Sequence, residues 1–136
     1  MNDAPSALDL LRSVERFLED TVVGELQGPA RYHARVAANV LAIVAREIET
    51  EDAHAAAEWE RLGRLLDDAA PLPADRVARG QGLRVRNEAL AQRIRAGDAD
   101  AGPFAEAVLD RLRATIDEKM DVSRPPRVGK PRSPSF

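Results

Sequence analysis

The chain has 136 residues, a formal net charge of −3, 32% charged residues and no cysteine. This length suits a single domain, and the lack of cysteine excludes disulfides, thiolate metal sites and cysteine nucleophiles. The small negative charge gives no general attraction to nucleic acid or to an anionic membrane. Aromatic residues make up 4% of the chain, and alanine, leucine, arginine and glutamate are frequent, so the composition favours helices.

The first predicted helix runs from residue 5 or 6 to about residue 26. Ser6 is a plausible N-cap, and Asp9 lies three residues later, where an acidic side chain favours the helix dipole. Apolar residues recur at gaps of three and four, as in one buried stripe of a helix: Ala7, Leu10, Leu11, Val14, Phe17, Leu18 and Val22. Gly28-Pro29 then predicts a stop and a new helix start.

Predicted helix 2 covers about residues 30–49 and is the most apolar segment. At 100° per residue its apolar side chains span an arc of roughly 160°. They are Val36, Ala37, Val40, Leu41, Ile43, Val44 and Ile48. So wide an arc predicts the central helix of a bundle.

The next segment has two interpretations. Thr50-Glu51-Asp52 resembles an N-cap and an acidic first turn, which favours a break and a third helix over about 51–69. That helix would turn Trp59, Leu62, Leu65 and Leu66 inward. The alternative is a continuation of helix 2 with a kink.

Pro71-Leu72-Pro73 predicts a linker, and residues 74–82, with Gly80 and Gly82, a weakly structured stretch. Helix 4 is predicted from about Leu83 to Ala96, with Gly97 after its last turn. Leu83, Leu90 and Ile94 are expected to face inward. Helix 5 is predicted from Pro103 to about Val122, with an inward stripe of Phe104, Val108, Leu109, Leu112, Ile116 and Met120.

The predicted fold is therefore all-α, a bundle of four to five helices with helix 2 in the centre, over residues 1–122. Residues 123–136 contain four prolines, four basic residues and no acid, so we expect a flexible basic tail. This tail lacks interleaved aromatic residues, so nucleic-acid binding is not expected. The N-terminus has no signal-peptide pattern, and the longest apolar run is about half a membrane span. We expect a cytoplasmic protein without membrane contact.

No motif for catalysis, a metal or a cofactor is found. Glu51 and His54 form one Glu-x-x-His, but a di-metal bundle site needs two such motifs and two more carboxylates. We therefore expect no catalytic residue, no metal, no cofactor and no enzymatic activity.

One face of predicted helix 2 carries the candidate binding residues. His33 and Glu47 fall inside the apolar arc, about 21 Å apart along the axis, so each needs a partner from elsewhere. Arg35, Asn39 and Arg46 cluster at the edge of the arc, with Tyr32 nearby. These six residues predict either a site for a phosphate or carboxylate, or a purely structural strip. A third hypothesis gives His33 or Glu47 an acid–base role.

The run from Tyr32 to Glu47 resembles the signature helix of a small bacterial family of unknown function. Leu10-Leu11…Val14…Phe17-Leu18 and Asn87…Leu90…Ile94-Arg95-Ala96-Gly97 match its pattern as well, so the resemblance covers most of residues 6–120. Its members are often encoded beside acyl-CoA dehydrogenases and aminoglycoside-phosphotransferase-like kinases. The resemblance implies an accessory role in acyl-CoA metabolism and a protein partner, either such a neighbour or a second copy in a homodimer. The basic tail departs from the family pattern.

Overall fold

The computed structural model describes residues 5–124, and this part of the chain is helical without strands. The helices are α1 (Ala7–Phe17), α2 (Val23–Glu25), α3 (Gly28–Leu66), α4 (Arg76–Arg95) and α5 (Pro103–Ser123). A π-helical turn, Leu18–Val22, joins α1 to α2. The predicted all-α class is confirmed. Nearly all of the predicted basic tail, from residue 125 onward, lies outside the described residues.

The start of α1 confirms Ser6 as the N-cap, and Asp9 completes a capping box with it. The Ser6 hydroxyl accepts a hydrogen bond from the Asp9 backbone N–H, and the Asp9 carboxylate accepts from the Ser6 N–H at 3.0 Å. These contacts satisfy donors that a helix start leaves free, and they hold the pKa of the Asp9 carboxyl below its usual range. The π-helical turn that follows was not predicted.

Helix α3 is continuous for 39 residues, so the predicted break at Thr50 is wrong. The Thr50 hydroxyl donates to the Arg46 carbonyl one turn earlier, as a threonine inside a helix can do, and caps no new helix. The helix ends at Asp67, whose φ of 53° lies in the left-handed region. The Asp68 N–H then closes the last turn on the Gly63 carbonyl.

The other helices pack around α3 in two groups. Helix α1 packs on its first half, where Arg12 pairs with Glu49, and we call this two-helix part the arm. Helices α4 and α5 pack on its second half, from residue 50, to form the body. Helix α4 runs parallel to α3, since Arg76 at its start pairs with Glu51 and Arg93 near its end donates to the Leu65 carbonyl.

Helix α5 runs antiparallel to α3. Its first turn brings Phe104 to the buried cluster at the end of α3, and the Val122 carbonyl at its end accepts from Arg46 in the middle of α3. Among the described residues, α3 is thus the helix that packs against all the others, although its 30–49 portion contacts chiefly α1.

The buried core is small and lies in the body. It consists of Leu62, Leu90 and Val108, with Leu65, Leu66, Leu83, Ala99 and Phe104 packed against it. The arm is held by an alanine face of α3, Ala34, Ala38, Ala42 and Ala45, together with Val23. Alanine allows two helices to approach closely but removes little apolar surface from water, so the arm has a thin interface.

The region expected to be weakly structured, 74–82, is instead the start of α4. The Asp75 carboxylate accepts a hydrogen bond from the Ala78 N–H and caps this helix at a position that the sequence reading overlooked. The predicted end is confirmed, because Gly97 has a φ of +95° directly after the last turn.

Several predicted inward-facing residues are exposed. On α5, Phe104 and Val108 reach the core, whereas the rest of the predicted stripe does not: Leu109, Leu112, Ile116 and Met120. Ile94 on α4 is exposed too, and so are Leu10, Val14 and Phe17 on α1. The reason is common to all three helices: each packs chiefly on α3 and along a narrow line, so only the centre of each apolar stripe is covered.

Candidate functional site

Most of the apolar arc predicted to be buried on α3 lies on the surface, and of its seven residues Leu41 and Ile43 are half-buried. Val36, Val40 and Val44, which we call the valine strip, expose 42%, 51% and 36% of their surface. At 100° per residue the strip lies roughly opposite the alanine face that packs on α1. The expected inward face of helix 2 was therefore wrong, because the small alanines and not the valines admit α1. Between residues 5 and 124, no helix is long and apolar enough to cross a membrane.

The six candidate residues of helix 2 do not converge on one point. Arg35, Asn39 and His33 are exposed, and Tyr32 is 66% exposed with its ring edge-on to that of His33, 5.6 Å between centroids. Arg46 is half-buried and donates from Nε to the Val122 carbonyl at 2.7 Å, which ties the arm to the end of α5.

Glu47 is exposed at the mouth of a cleft of about 360 Å³ between α3, α4 and α5. Helix α3 lines this cleft with a row of polar residues at spacings of four, three and four: Glu47, Glu51, His54 and Glu58. Helix α4 contributes Arg76, Arg79, Gly80 and Leu83, and α5 contributes Thr115, Glu118, Lys119 and Val122. The volume falls within the range of small-molecule sites.

Two arginines hold the inner carboxylates of the cleft. Glu58 accepts from Arg111 and from the Asn87 amide, each at 2.9 Å, and Arg111 also donates to the Asn87 carbonyl oxygen at 2.5 Å. Glu118 accepts from Arg61 at both carboxylate oxygens, at 2.9 and 2.8 Å. The Nε atoms of Arg61 and Arg111 are buried without a hydrogen-bond partner among the described residues.

Two further ion pairs lie at the rim of the cleft. Arg76 donates to both oxygens of Glu51, at 3.0 and 2.6 Å, and Arg79 pairs with Asp52 close by. The carboxylates of the cleft are therefore largely occupied by arginines. Accordingly, no three histidine, aspartate or glutamate side chains in the described range are grouped so that they could hold a metal ion.

This cleft was not predicted, although the sequence contains a pattern that indicates it. Four polar residues at spacings of four, three and four follow the pattern that normally places leucines in a helix interface. Because the reading placed a helix break at Thr50, Glu47 was assigned to one helix and the other three residues to another.

A family model described as "Domain of unknown function (DUF6285)" matches residues 24–126. The match covers α3, α4 and α5 in full and leaves α1 outside. No curated protein and no solved structure matches the chain. The expected likeness to a family of unknown function is thus supported.

Proposed function

The chain belongs to the DUF6285 family of domains of unknown function, and we propose that it acts as an accessory protein that binds another protein through the valine strip of α3. The observation that carries this proposal is the exposure of Val36, Val40 and Val44 on the side of α3 that α1 leaves free. Three β-branched residues one turn apart form a ridge suited to packing against another helix.

The energetic reason is the hydrophobic effect. Removing apolar surface from water contributes about 25 cal/mol per Å², and contiguous exposed apolar patches on a soluble protein mark interaction sites. Tyr32 and Ile48, 66% and 44% exposed, extend the strip at either end. The strip therefore runs along most of the arm.

The family resemblance supplies candidate partners. It implies an acyl-CoA dehydrogenase or a phosphotransferase-like kinase encoded beside this chain, and hence a supporting role in acyl-CoA metabolism. The test is to mix each purified neighbour with the chain and measure binding by analytical ultracentrifugation. We expect Val40→Asp to abolish binding, because it places a charge in the middle of the strip.

The matched control is Val85→Asp on α4, since Val85 is 69% exposed and lies outside the strip. It should leave binding unchanged. A chain that stays monomeric at all concentrations and binds neither neighbour would refute the proposed function.

A second candidate, binding of a small anion, is favoured by the free donors of α3. Arg35 and Asn39 make no hydrogen bond or ion pair with other described residues, and Arg46 uses only Nε. Calorimetric titration with inorganic phosphate tests it: Arg35→Ala should weaken binding at least tenfold, whereas Arg84→Ala, an exposed arginine of α4, should not. Equal heats for both variants would reject this site.

The acid–base hypothesis has less support. Of the two residues, Glu47 lines the cleft and His33 is exposed on α3, about 21 Å away along the axis, and neither is hydrogen-bonded to a described side chain that would orient it for proton transfer. We propose no catalytic role for either.

A further inference from the structure

We infer that the partner seated on the valine strip is a second copy of this chain, packed antiparallel about a two-fold axis through Val40. The inference rests on the proposed function of the strip and names its occupant. It starts from the two polar residues, His33 and Glu47, that flank the strip at its two ends.

The strip is symmetric about Val40 in the sequence. Val36 and Val44 lie four residues to either side, and Tyr32 and Ile48 lie eight residues to either side. His33 and Glu47 lie seven residues to either side. An antiparallel pair of α3 helices centred on Val40 therefore places each member of these pairs opposite its counterpart in the second copy.

The same symmetry holds around the helix. With Val36 at zero, Val40 lies at roughly 40°, Glu47 at roughly 20° and His33 at roughly 60°. All three point toward the same side, so a helix facing Val40 also faces both polar residues. A two-fold axis through Val40 maps the direction of His33, at roughly 60°, onto that of Glu47, at roughly 20°. His33 of one copy therefore faces Glu47 of the other.

This pairing offsets the cost of covering His33 and Glu47, which are both exposed to water in a single copy. Within the described residues neither His33 nor Glu47 has a hydrogen-bond partner, and both flank an apolar surface. An imidazole N–H donating to a carboxylate satisfies both, twice per dimer. A polar pair inside an apolar interface also fixes the register, because any slip leaves it unpaired.

The packing geometry agrees with this register. Helices that cross at a shallow angle, about 20° with axes 8–10 Å apart as in antiparallel bundles, stay close over the roughly 10–12 Å between the two-fold axis and residues 32, 33, 47 and 48. Their Cα atoms lie about 2.3 Å from each axis, so the two copies of residue 40 come within disulfide distance at the crossing point.

The exposed apolar area of the valine strip, with Tyr32 and Ile48, limits the expected affinity of the dimer. These five side chains are 36–66% exposed and offer on the order of 400 Å² per copy, about half of what each partner buries in a standard interface. A weak, reversible dimer that forms at high protein concentration is therefore expected.

The chain has no cysteine, so single engineered cysteines report the register directly. Under mild oxidation Val40→Cys should form a covalent dimer in high yield. Val36→Cys should not cross-link to itself, because the axis offsets the two copies of residue 36 by about 12 Å. An equimolar mixture of Val36→Cys and Val44→Cys should cross-link as a heterodimer. Ile116→Cys, at an exposed site of α5, serves as the control and should remain monomeric.

A charge-swap pair tests the His33–Glu47 contact by sedimentation equilibrium. His33→Glu should weaken the dimer at least tenfold, since it opposes two carboxylates, and adding Glu47→Lys should restore it. A further variant that ends at Arg124 tests whether the remaining residues of the chain cover the strip instead.

Cross-linking through Ile116→Cys but not Val40→Cys would overturn the inference, as would a monomer at all concentrations. So would a full chain that is monomeric while the variant ending at Arg124 dimerises. A monomer that binds a neighbouring enzyme in a manner lost with Val40→Asp would reject the second copy but support the proposed function. Failure of the dimer and failure of the proposed function are therefore distinguishable.

Discussion

The guanidinium carbon of Arg86 lies 3.7 Å from the centroid of the Trp59 ring, which joins α4 to the last turns of α3. The same guanidinium donates to the Trp59 carbonyl at 2.8 Å and to the Asp68 carbonyl at 3.1 Å, and it forms an ion pair with the Asp68 carboxylate. Arg86 is 4% exposed, the one charged residue in the described range that is fully buried. It therefore fixes the end of α3 and the direction of the chain after it.

Replacing Arg86 should destabilise the body strongly. Arg86→Ala removes several charge-assisted hydrogen bonds and the stacking on the Trp59 ring, which costs about 2–4 kcal/mol in the free energy of unfolding. Arg86→Lys should recover less than half of this loss, because an ammonium cannot reach the same acceptors while stacking on the ring. Urea denaturation measures both, and a loss below about 1 kcal/mol for Arg86→Ala would contradict this role.

Two glycines of α4 should respond to alanine in opposite directions. A Cβ at Gly82 would lie 2.7 Å from the Trp59 ring, whose indole N–H is held by the Ala70 carbonyl, so Gly82→Ala should cost about 1–3 kcal/mol. A Cβ at Gly80 would meet nothing within 4 Å, so Gly80→Ala should stabilise the protein by up to about 1 kcal/mol through helix propensity. Thermal unfolding of the two variants compares them, and shifts of the same sign would argue against this packing.

The Glu58–Arg111 pair should contribute far more than a surface pair. Their side chains are 26% and 10% exposed, so Glu58→Ala leaves a mostly buried guanidinium without its carboxylate and should cost about 2–3 kcal/mol. The control is Asp110→Ala, which breaks the exposed Arg113–Asp110 pair and should cost less than about 0.5 kcal/mol. Double-mutant cycles on both pairs provide the coupling energies; equal couplings would rule out the proposed difference.

The Asp68 carboxylate should make stability depend on pH at the acidic end. The Ala70 backbone N–H, and then Arg86, stabilise the charged form and hold the pKa of this carboxyl below its ordinary 3.8. Because the unfolded state binds its proton at higher pH, the contribution is complete above about pH 4 and is lost as pH falls through the lowered pKa. Urea titrations from pH 2 to 7 should show the difference between the protein and Asp68→Asn shrinking below pH 4. A constant difference would refute the assignment.

Local signals in the sequence predicted some helix ends correctly and the tertiary faces poorly. The N-cap at Ser6 and the start of α5 at Pro103 are where the local pattern placed them. The break at Thr50 failed because threonine, glutamate and aspartate are also tolerated inside a helix when the hydroxyl returns to a preceding carbonyl. No property of residues 50–52 alone separates these two outcomes.

For the candidate site, too, the sequence predicted local features but not tertiary contacts. The sequence identified His33 and Glu47 as polar residues within an apolar arc, and their spacing followed from the helix itself. That the cleft at Glu47 also includes Arg79 and Lys119 depends on how α4 and α5 return along α3, which local patterns do not encode.

The sequence by itself determined that this chain is helical, that it carries a broad apolar arc on α3, and that it offers no thiol chemistry. Tertiary structure alone decided which face of α3 is buried. Hydrophobicity favoured the valines, but α1 packs on the alanines, because close approach of two helices depends on side-chain size and not only on apolar character. The valine strip stays exposed for that reason.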